Sequence, residues 1–328
     1  MKTLVTGATG FIGRQLCLAL AGQGIDVVAL CRNVNHPLLI RHKNVTVCRG
    51  DVTDKESLQR AMKDCTAAFH TAALARMWCK NTQDFYEVNV KGTTNVLEAA
   101  AFAGVQKIVH TSSCGVIGPT HQYPMTESDP RIIGFAINYE RTKYLAELEV
   151  QKFAKKEMDI VIVSPSRVYG QGPVTESNTV GKMIEAYLKG RWRLLPGDGK
   201  QVVNYAYLDD VVNGHIAAMQ KGRAGNRYIL GGEDISFNAF FGHLQSASGK
   251  HYRLLHVPQQ LIKLYSHMEK FKTTVTGAAP RFLPEFADRL KYHQKYSSCK
   301  AVAELGYKIT PFELGMNRTI EYFKTSHI

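Results

Sequence analysis

The 328-residue sequence has no run of about 18 uninterrupted apolar residues, no cysteines spaced C-x-x-C and little acid for its base. The missing apolar run leaves no candidate for an integral membrane segment. Met1-Lys2 passes directly into a strand-like stretch, where a secretory leader would place its apolar core, so a cytoplasmic protein is the expectation. Seven cysteines (Cys17, Cys31, Cys48, Cys65, Cys79, Cys114, Cys299), odd in number and scattered, argue against a disulfide framework and against structural zinc. Acidic residues number 28 against 41 Lys and Arg, a net charge of +13. Such an excess suits anionic partners, but no RNA- or DNA-binding motif accompanies it, and nucleic acid is not expected. The main reading is a solvated basic face. Attraction for a phosphorylated ligand comes next, and contact with a membrane surface last.

What is present is an alternation of strand and helix patterns through the first half of a chain that is 45% hydrophobic, enough to build a large core. Short apolar or β-branched runs predict strands at 2–6, 26–31, 45–49, 67–70, 108–111 and 160–163. Helical spacing covers 86–103 and 139–155. Beyond Gly170 the rhythm breaks into a Gly/Pro loop, a helix near 180–189, strands at 205–208 and 228–230, and then helical or irregular sequence.

In TGATGFIG, Gly7, Gly10 and Gly13 stand between the first strand and a helix, where missing side chains let the backbone approach a pyrophosphate and the helix N-terminus stabilise its charge. In this βαβ setting the spacing predicts dinucleotide binding, with Thr9, Phe11 and Ile12 of the same turn counted in. The fold expected is α/β: a Rossmann-type doubly wound parallel sheet with a smaller, discontinuous, mostly helical C-terminal substrate region. Residues 1–168 with about 203–231 would form the NAD(P)-binding part, and 169–202 with 232–328 the substrate-binding part. Where an NAD enzyme carries an acid at the end of its second strand, this sequence reads Cys31-Arg32-Asn33. The Arg32 guanidinium suits a 2′-phosphate, with Arg14 as a second clamp, so NADP(H) is favoured and NAD(H) stays possible. Asp51 and Val52 follow the third strand; Asp51 is either an adenine contact or the N-cap of a helix over 55–62. His70 reads as a buried structural histidine, and Ala72 and Ala73 after it leave room for cofactor.

YERTK places Tyr139 and Lys143 four residues apart on one helical face. A phenol with a pKa of about 10 is a poor acid or base at neutrality, and a neighbouring ammonium with a positive nicotinamide would bring it down. TSSCGVIG ends the fifth strand and puts Ser112 and Ser113 at the carboxyl edge of the sheet, where a hydroxyl can hold a substrate carbonyl.

With GDVTD, FHTAA, NVKGT, SPSRVYGQG and YAYLDDVV in order along nearly the whole chain, the sequence resembles the extended short-chain dehydrogenase/reductase family. The resemblance implies Ser113, Tyr139 and Lys143 as catalytic residues, Tyr139 as general acid/base and Lys143 also on the nicotinamide ribose. It further implies Asn89 as a site organiser, Pro165 and Ser166 at the nicotinamide end, and a homodimer. Thr111 and Ser112 are either further site contacts or strand-edge structure. Nucleotide-sugar enzymes of the family carry polar diphosphate clamps. Those regions here read Val203-Asn204-Tyr205-Ala206-Tyr207 and Ser164-Pro165-Ser166-Arg167, with Arg167 or Arg191 as possible substitutes. ALARMW, GNRYILGGEDIS and the C-terminal segment are similar to the dihydroflavonol-reductase-like, 3β-hydroxysteroid-dehydrogenase-like and hopanoid-associated epimerase-like branch. The expected substrate is therefore a fairly hydrophobic ketone, aldehyde or alcohol, with Trp78, Tyr169 and Tyr205, and also Met77 and Tyr207, as candidate pocket residues. A nucleotide-sugar epimerase or dehydratase is the alternative, and a non-catalytic NADP-binding regulator a lesser one. The basic amphipathic stretch VPQQLIKLYSHMEKFK is read as a packed helix, a lid or a membrane-surface contact.

Overall fold

The structure, a computed structural model, describes residues 2–155, 158–280 and 282–326. Its strands are β1 (Lys2–Thr6), β2 (Asp26–Cys31), β3 (Val45–Arg49), β4 (Ala67–His70), β5 (Lys107–Thr111), β6 (Asp159–Pro165), β7 (Arg167–Tyr169), β8 (Leu194–Pro196), β9 (Val202–Tyr207), β10 (Arg227–Leu230), β11 (Glu233–Ser236) and β12 (Leu255–Val257). Seven of them form one sheet in the order β10-β6-β5-β4-β1-β2-β3, with every pairing parallel. The apolar runs that marked β1, β4, β5 and β6 have a direct cause: these strands are covered on both faces, so nearly every position is buried rather than every second one.

Helices Phe11–Gly22 and Leu208–Lys221 cover one face through Leu16, Leu20, Val211 and Ile216. Helices Lys55–Met62, Gly92–Ala103 and Asn138–Ala154 cover the other through Leu58, Val96, Leu97 and Val150. A third core is aromatic and belongs to the smaller region. There the sheet β11-β9-β7 packs Tyr169, Tyr205 and Tyr207 against Phe240, Phe312 and Met316 of helices Phe237–Ser248 and Phe312–Ser326. The stretch 203–231 divides between the two parts. β9 pairs in the small sheet, whereas the helix after it and β10 complete the large one. Helix Cys299–Leu305 returns to the first core through Ala301 and Leu305.

Candidate active site

The order of the large sheet reverses between β1 and β4, which lie side by side although β2 and β3 separate them in the chain. Ligands of open α/β sheets bind in the crevice at the carboxyl ends of such a pair. The glycine turn forms one wall. Gly7 takes φ +71°, and a Cβ on it would stand 2.8 Å from the backbone N of Ala72; a Cβ on Gly13 would stand 2.3 Å from the Gly7 carbonyl. Those two glycines are required by the protein's own packing. Gly10 differs, because a Cβ there would meet only the Gly7 carbonyl, at 3.1 Å, so its bare face is left for a ligand. Helix Phe11–Gly22 has no acid in its first turn and no side-chain cap, which keeps its first N–H groups available to an anion. Thr9 lies in the turn. Phe11 and Ile12 pack into the core below, so what they offer the crevice is backbone.

On the other wall, Ala72 and Ala73 follow β4, the Ala72 N–H donating to Thr6 Oγ1 at 3.2 Å. Asp51 is not the cap of helix Lys55–Met62. It lies a turn too far upstream, and Asp54 caps the helix by accepting from the N–H groups of Glu56 and Ser57. Asp51 Oδ1 accepts instead from Thr53 N and Oγ1, both at 2.9 Å, while Val52 is buried against Gly92. Arg32 is exposed just past β2, and Arg14 Nε donates to the Leu38 carbonyl at 3.2 Å, holding the loop after β2 close to the first helix. At the end of β6 the Ser166 N–H donates to the Leu230 carbonyl at 3.2 Å, yet Ser166 Oγ is buried without a protein partner. The cradle at Gly10 and that orphaned hydroxyl fit a dinucleotide laid across the sheet edge.

Ser113 follows β5, and its Oγ accepts from the Gly115 N–H at 3.0 Å, which leaves its own hydroxyl proton for another acceptor. Tyr139 and Lys143 lie one turn apart on helix Asn138–Ala154. Burial pushes Tyr139 up to about 12, against the effect of its hydrogen bond with Ser113. The lowered phenol expected from the sequence is therefore not realised by the protein alone. The Lys143 amine lies 3.5 Å from His110 Nε2, and burial brings it down to about 8, the Glu147 carboxylate one turn on opposing the shift. His70 is structural, its two ring nitrogens 2.8 Å from Thr6 Oγ1 and 2.9 Å from Thr93 Oγ1. Burial, with the Lys143 charge second, holds His70 down at about 3, so it stays neutral.

Asn89 sits in a π-helical turn, Glu87–Lys91, where the extra residue per turn carries its amide inward. Its Oδ1 accepts from the Leu74 N–H at 2.7 Å and its Nδ2 donates to Thr142 Oγ1 at 2.9 Å, tying the loop after β4 to helix Asn138–Ala154. Thr111 Oγ1 lies 2.9 Å from His215 Nε2, and the Ser112 N–H donates to the Val163 carbonyl at 2.7 Å.

Sequence reasoning missed Glu140. Buried beside Tyr139, its carboxylate holds Arg131 at 2.9 Å on one oxygen and Arg289 on the other. Arg131 also donates to the Val116 carbonyl at 3.1 Å, so one carboxylate joins helix Asn138–Ala154, the Ser113 loop and the C-terminal region. Nε and Nη2 of Arg289 are buried without partners. The charge following Tyr139 was the only local signal, since Arg289 lies 149 residues away.

Of the candidate substrate residues, Trp78 and Met77 line a cavity of about 480 Å³ with Phe85, Phe135, Leu283 and Lys270. Ala136, Ile137 and Asn138, which lead into Tyr139, form part of its wall. Tyr169 and Tyr205, with Tyr207, lie instead in the aromatic core at 1–2% exposure. Tyr169 donates to the Phe312 carbonyl at 3.3 Å, and the Tyr205 ring packs 4.9 Å from Phe240. They do not line this cavity, because the β7–β9 pairing turns them into the small sheet's core.

The chain is 30% identical to sterol demethylase protein B of Methylococcus capsulatus, covering 99% of this chain and 98% of the relative. It is 28% identical to a Stigmatella aurantiaca 4-hydroxy-2-methyl-3-oxo-4-farnesyl-3,4-dihydroquinoline-1-oxide ketoreductase, covering 94% and 92%. The UDP-glucose 4-epimerase of Thermus thermophilus in complex with NAD superposes with a TM-score of 0.79 at 25% identity, covering 99% of this chain and all of the epimerase. Residues 3–231 match the model of the NAD dependent epimerase/dehydratase family. With the glycine turn and the Ser113, Tyr139, Lys143 constellation in place, the chain belongs to that family, as an extended short-chain oxidoreductase that binds NAD(P).

Proposed function

We propose that the protein interconverts a ketone or aldehyde and an alcohol on a hydrophobic substrate, using NADP(H). The carrying observation is that Ser113, at the sheet edge after β5, stands with Tyr139, itself one helical turn from the buried Lys143. When bound, the dinucleotide supplies or accepts the hydride at its nicotinamide. Ser113 Oγ donates to the substrate oxygen the proton that otherwise serves Tyr139. The Tyr139 hydroxyl gives its proton to that oxygen in reduction and takes it back in oxidation. Lys143 sets a positive charge under the site that favours the phenolate side of the transfer, and the burial that lowers its pKa also excludes water around it. Arg32 and Arg14 favour a 2′-phosphate at the far end. The cavity at Met77 and Trp78, beside the residues leading into Tyr139, is lined by Phe85, Phe135 and Leu283 as well as by Arg141, Lys270 and Glu285, which suits a ring or chain with a polar end.

One observation favours a nucleotide sugar as substrate instead: the free nitrogens of Arg289, next to Glu140, could take a diphosphate. We further infer a homodimer, supported by a groove between two neighbouring helices that is lined by Tyr86, Val90, Leu145 and Leu148. The deciding experiment follows NADPH absorbance over a panel of carbonyl compounds, with product analysis of UDP-sugars alongside. Tyr139→Phe is expected to cut turnover by a factor of about 10²–10⁴ while NADPH affinity stays within a few-fold. Full activity in that variant would remove Tyr139 from the chemistry, and conversion of a UDP-sugar without net NADPH change would install the second reading.

A further inference from the structure

We propose that helix Gln259–Thr276 is an interfacial anchor that seats the protein on an anionic lipid surface. Its amphipathicity is inverted. The residues it buries are Ser266 and Glu269, with Ile262 and Thr273 half-buried beside them. Leu261, Leu264, Tyr265, Met268, Phe271 and Val275 face solvent, each between 41% and 73% exposed. Spaced three and four apart, these six make one stripe about 21 Å long. A helix that served only its own protein would turn that stripe inward. The strand leading into it, β12, carries exposed Leu255, paired in register with exposed Leu194 of β8.

Charge decides the occupant. The homodimer inferred above uses the groove of Tyr86 and Leu148 and leaves the stripe for another occupant, and a chain of net charge +13 is drawn to an anionic bilayer that takes up the apolar face. Lys272 lies within the stripe and pairs with Glu269, while Lys263 and Lys270 stand on the other side of the helix in ion pairs with Asp288 and Glu285. No helix among the described residues is long and apolar enough to cross a membrane, so the contact is peripheral. On the inward side, Lys270, Thr273 and Thr274 line the cavity of Met77 and Trp78. Docking therefore holds that cavity about 10 Å, one helix diameter, from the lipid. The anchoring stands apart from the reaction. That the cavity draws an amphiphilic ketone or alcohol out of the lipid rests on the carbonyl-reductase reading.

The test is flotation of the whole protein with vesicles of phosphatidylcholine alone or mixed with phosphatidylglycerol. Sedimentation without lipid accompanies it. Wild type is expected to float at least about tenfold better with phosphatidylglycerol, and Leu264→Glu with Phe271→Glu to lose that binding at least about tenfold while NADPH affinity is unchanged. If that pair loses NADPH binding through misfolding, Met268→Ser with Val275→Ser carries the same comparison. Absence of flotation, or equal flotation of the variants, overturns the anchor. So does a self-associated wild type that the same substitutions dissociate, which would assign the stripe to a second copy. Flotation by a protein inactive on every carbonyl compound would leave the anchor standing and fail the reaction.

Discussion

Lys143→Met should make the protein more stable and far less active, with a pH dependence that identifies the cause. The amine is 1% exposed, and burial holds it at about 8, against 10.5 for the ordinary group. Between those values the unfolded chain holds a proton that the folded one has released, so stability rises with pH across the window. Below about 8 both states are protonated, and the full cost of the buried charge is present. The gap of 2.5 corresponds to about 3 kcal/mol near pH 7, falling to about 1.4 kcal/mol near pH 9.5. Methionine keeps most of the stem volume and removes the charge. It also gives up the contact with His110 Nε2 at 3.5 Å, worth about 1 kcal/mol at every pH. The net gain expected is about 2 kcal/mol near neutrality and close to zero near pH 9.5. Denaturant melts of both proteins across that range measure it, and groups common to both cancel in the difference. Turnover should fall at least about a hundredfold, the usual exchange of stability for function at a strained site. A variant less stable than wild type at neutral pH, or a difference that does not change with pH, would refute a buried, costly ammonium at this position.

Two further outcomes test other parts of the site. Arg32→Ala should weaken NADPH about ten- to a hundredfold and NADH less than about threefold, since a charge-assisted hydrogen bond is worth about 1.5–3 kcal/mol; equal losses in a fluorescence titration would remove the 2′-phosphate assignment. Glu140→Gln leaves Arg131 and Arg289 buried without their carboxylate and should cost about 3–5 kcal/mol. Spread over 328 residues at about 2.1 cal/mol/K each, that lowers Tm by about 4–7 °C; a melt within a degree of wild type would mean the pairs hold nothing together.

What the sequence made legible was local. Gly7, Gly10 and Gly13, Tyr139 with Lys143, and Ser113 at a strand end carry their meaning in spacings of a few residues, and the strands of the large sheet run apolar because both faces are covered. Glu140 with Arg289 was invisible because the pairing spans 149 residues, and each partner alone reads as a surface charge. Tyr169 and Tyr205 failed for a related reason. An aromatic near a site is core or pocket according to what lies opposite, and opposite them lies Phe312, from a helix near the end of the chain. Helix Gln259–Thr276 shows the same limit most sharply. Its periodicity declared two faces correctly, yet periodicity has no sign: Ser266 and Glu269 face the protein while Phe271 and Val275 face away. A pattern locates the stripe, and only the packing partner says whether the core or something outside the chain is meant to cover it.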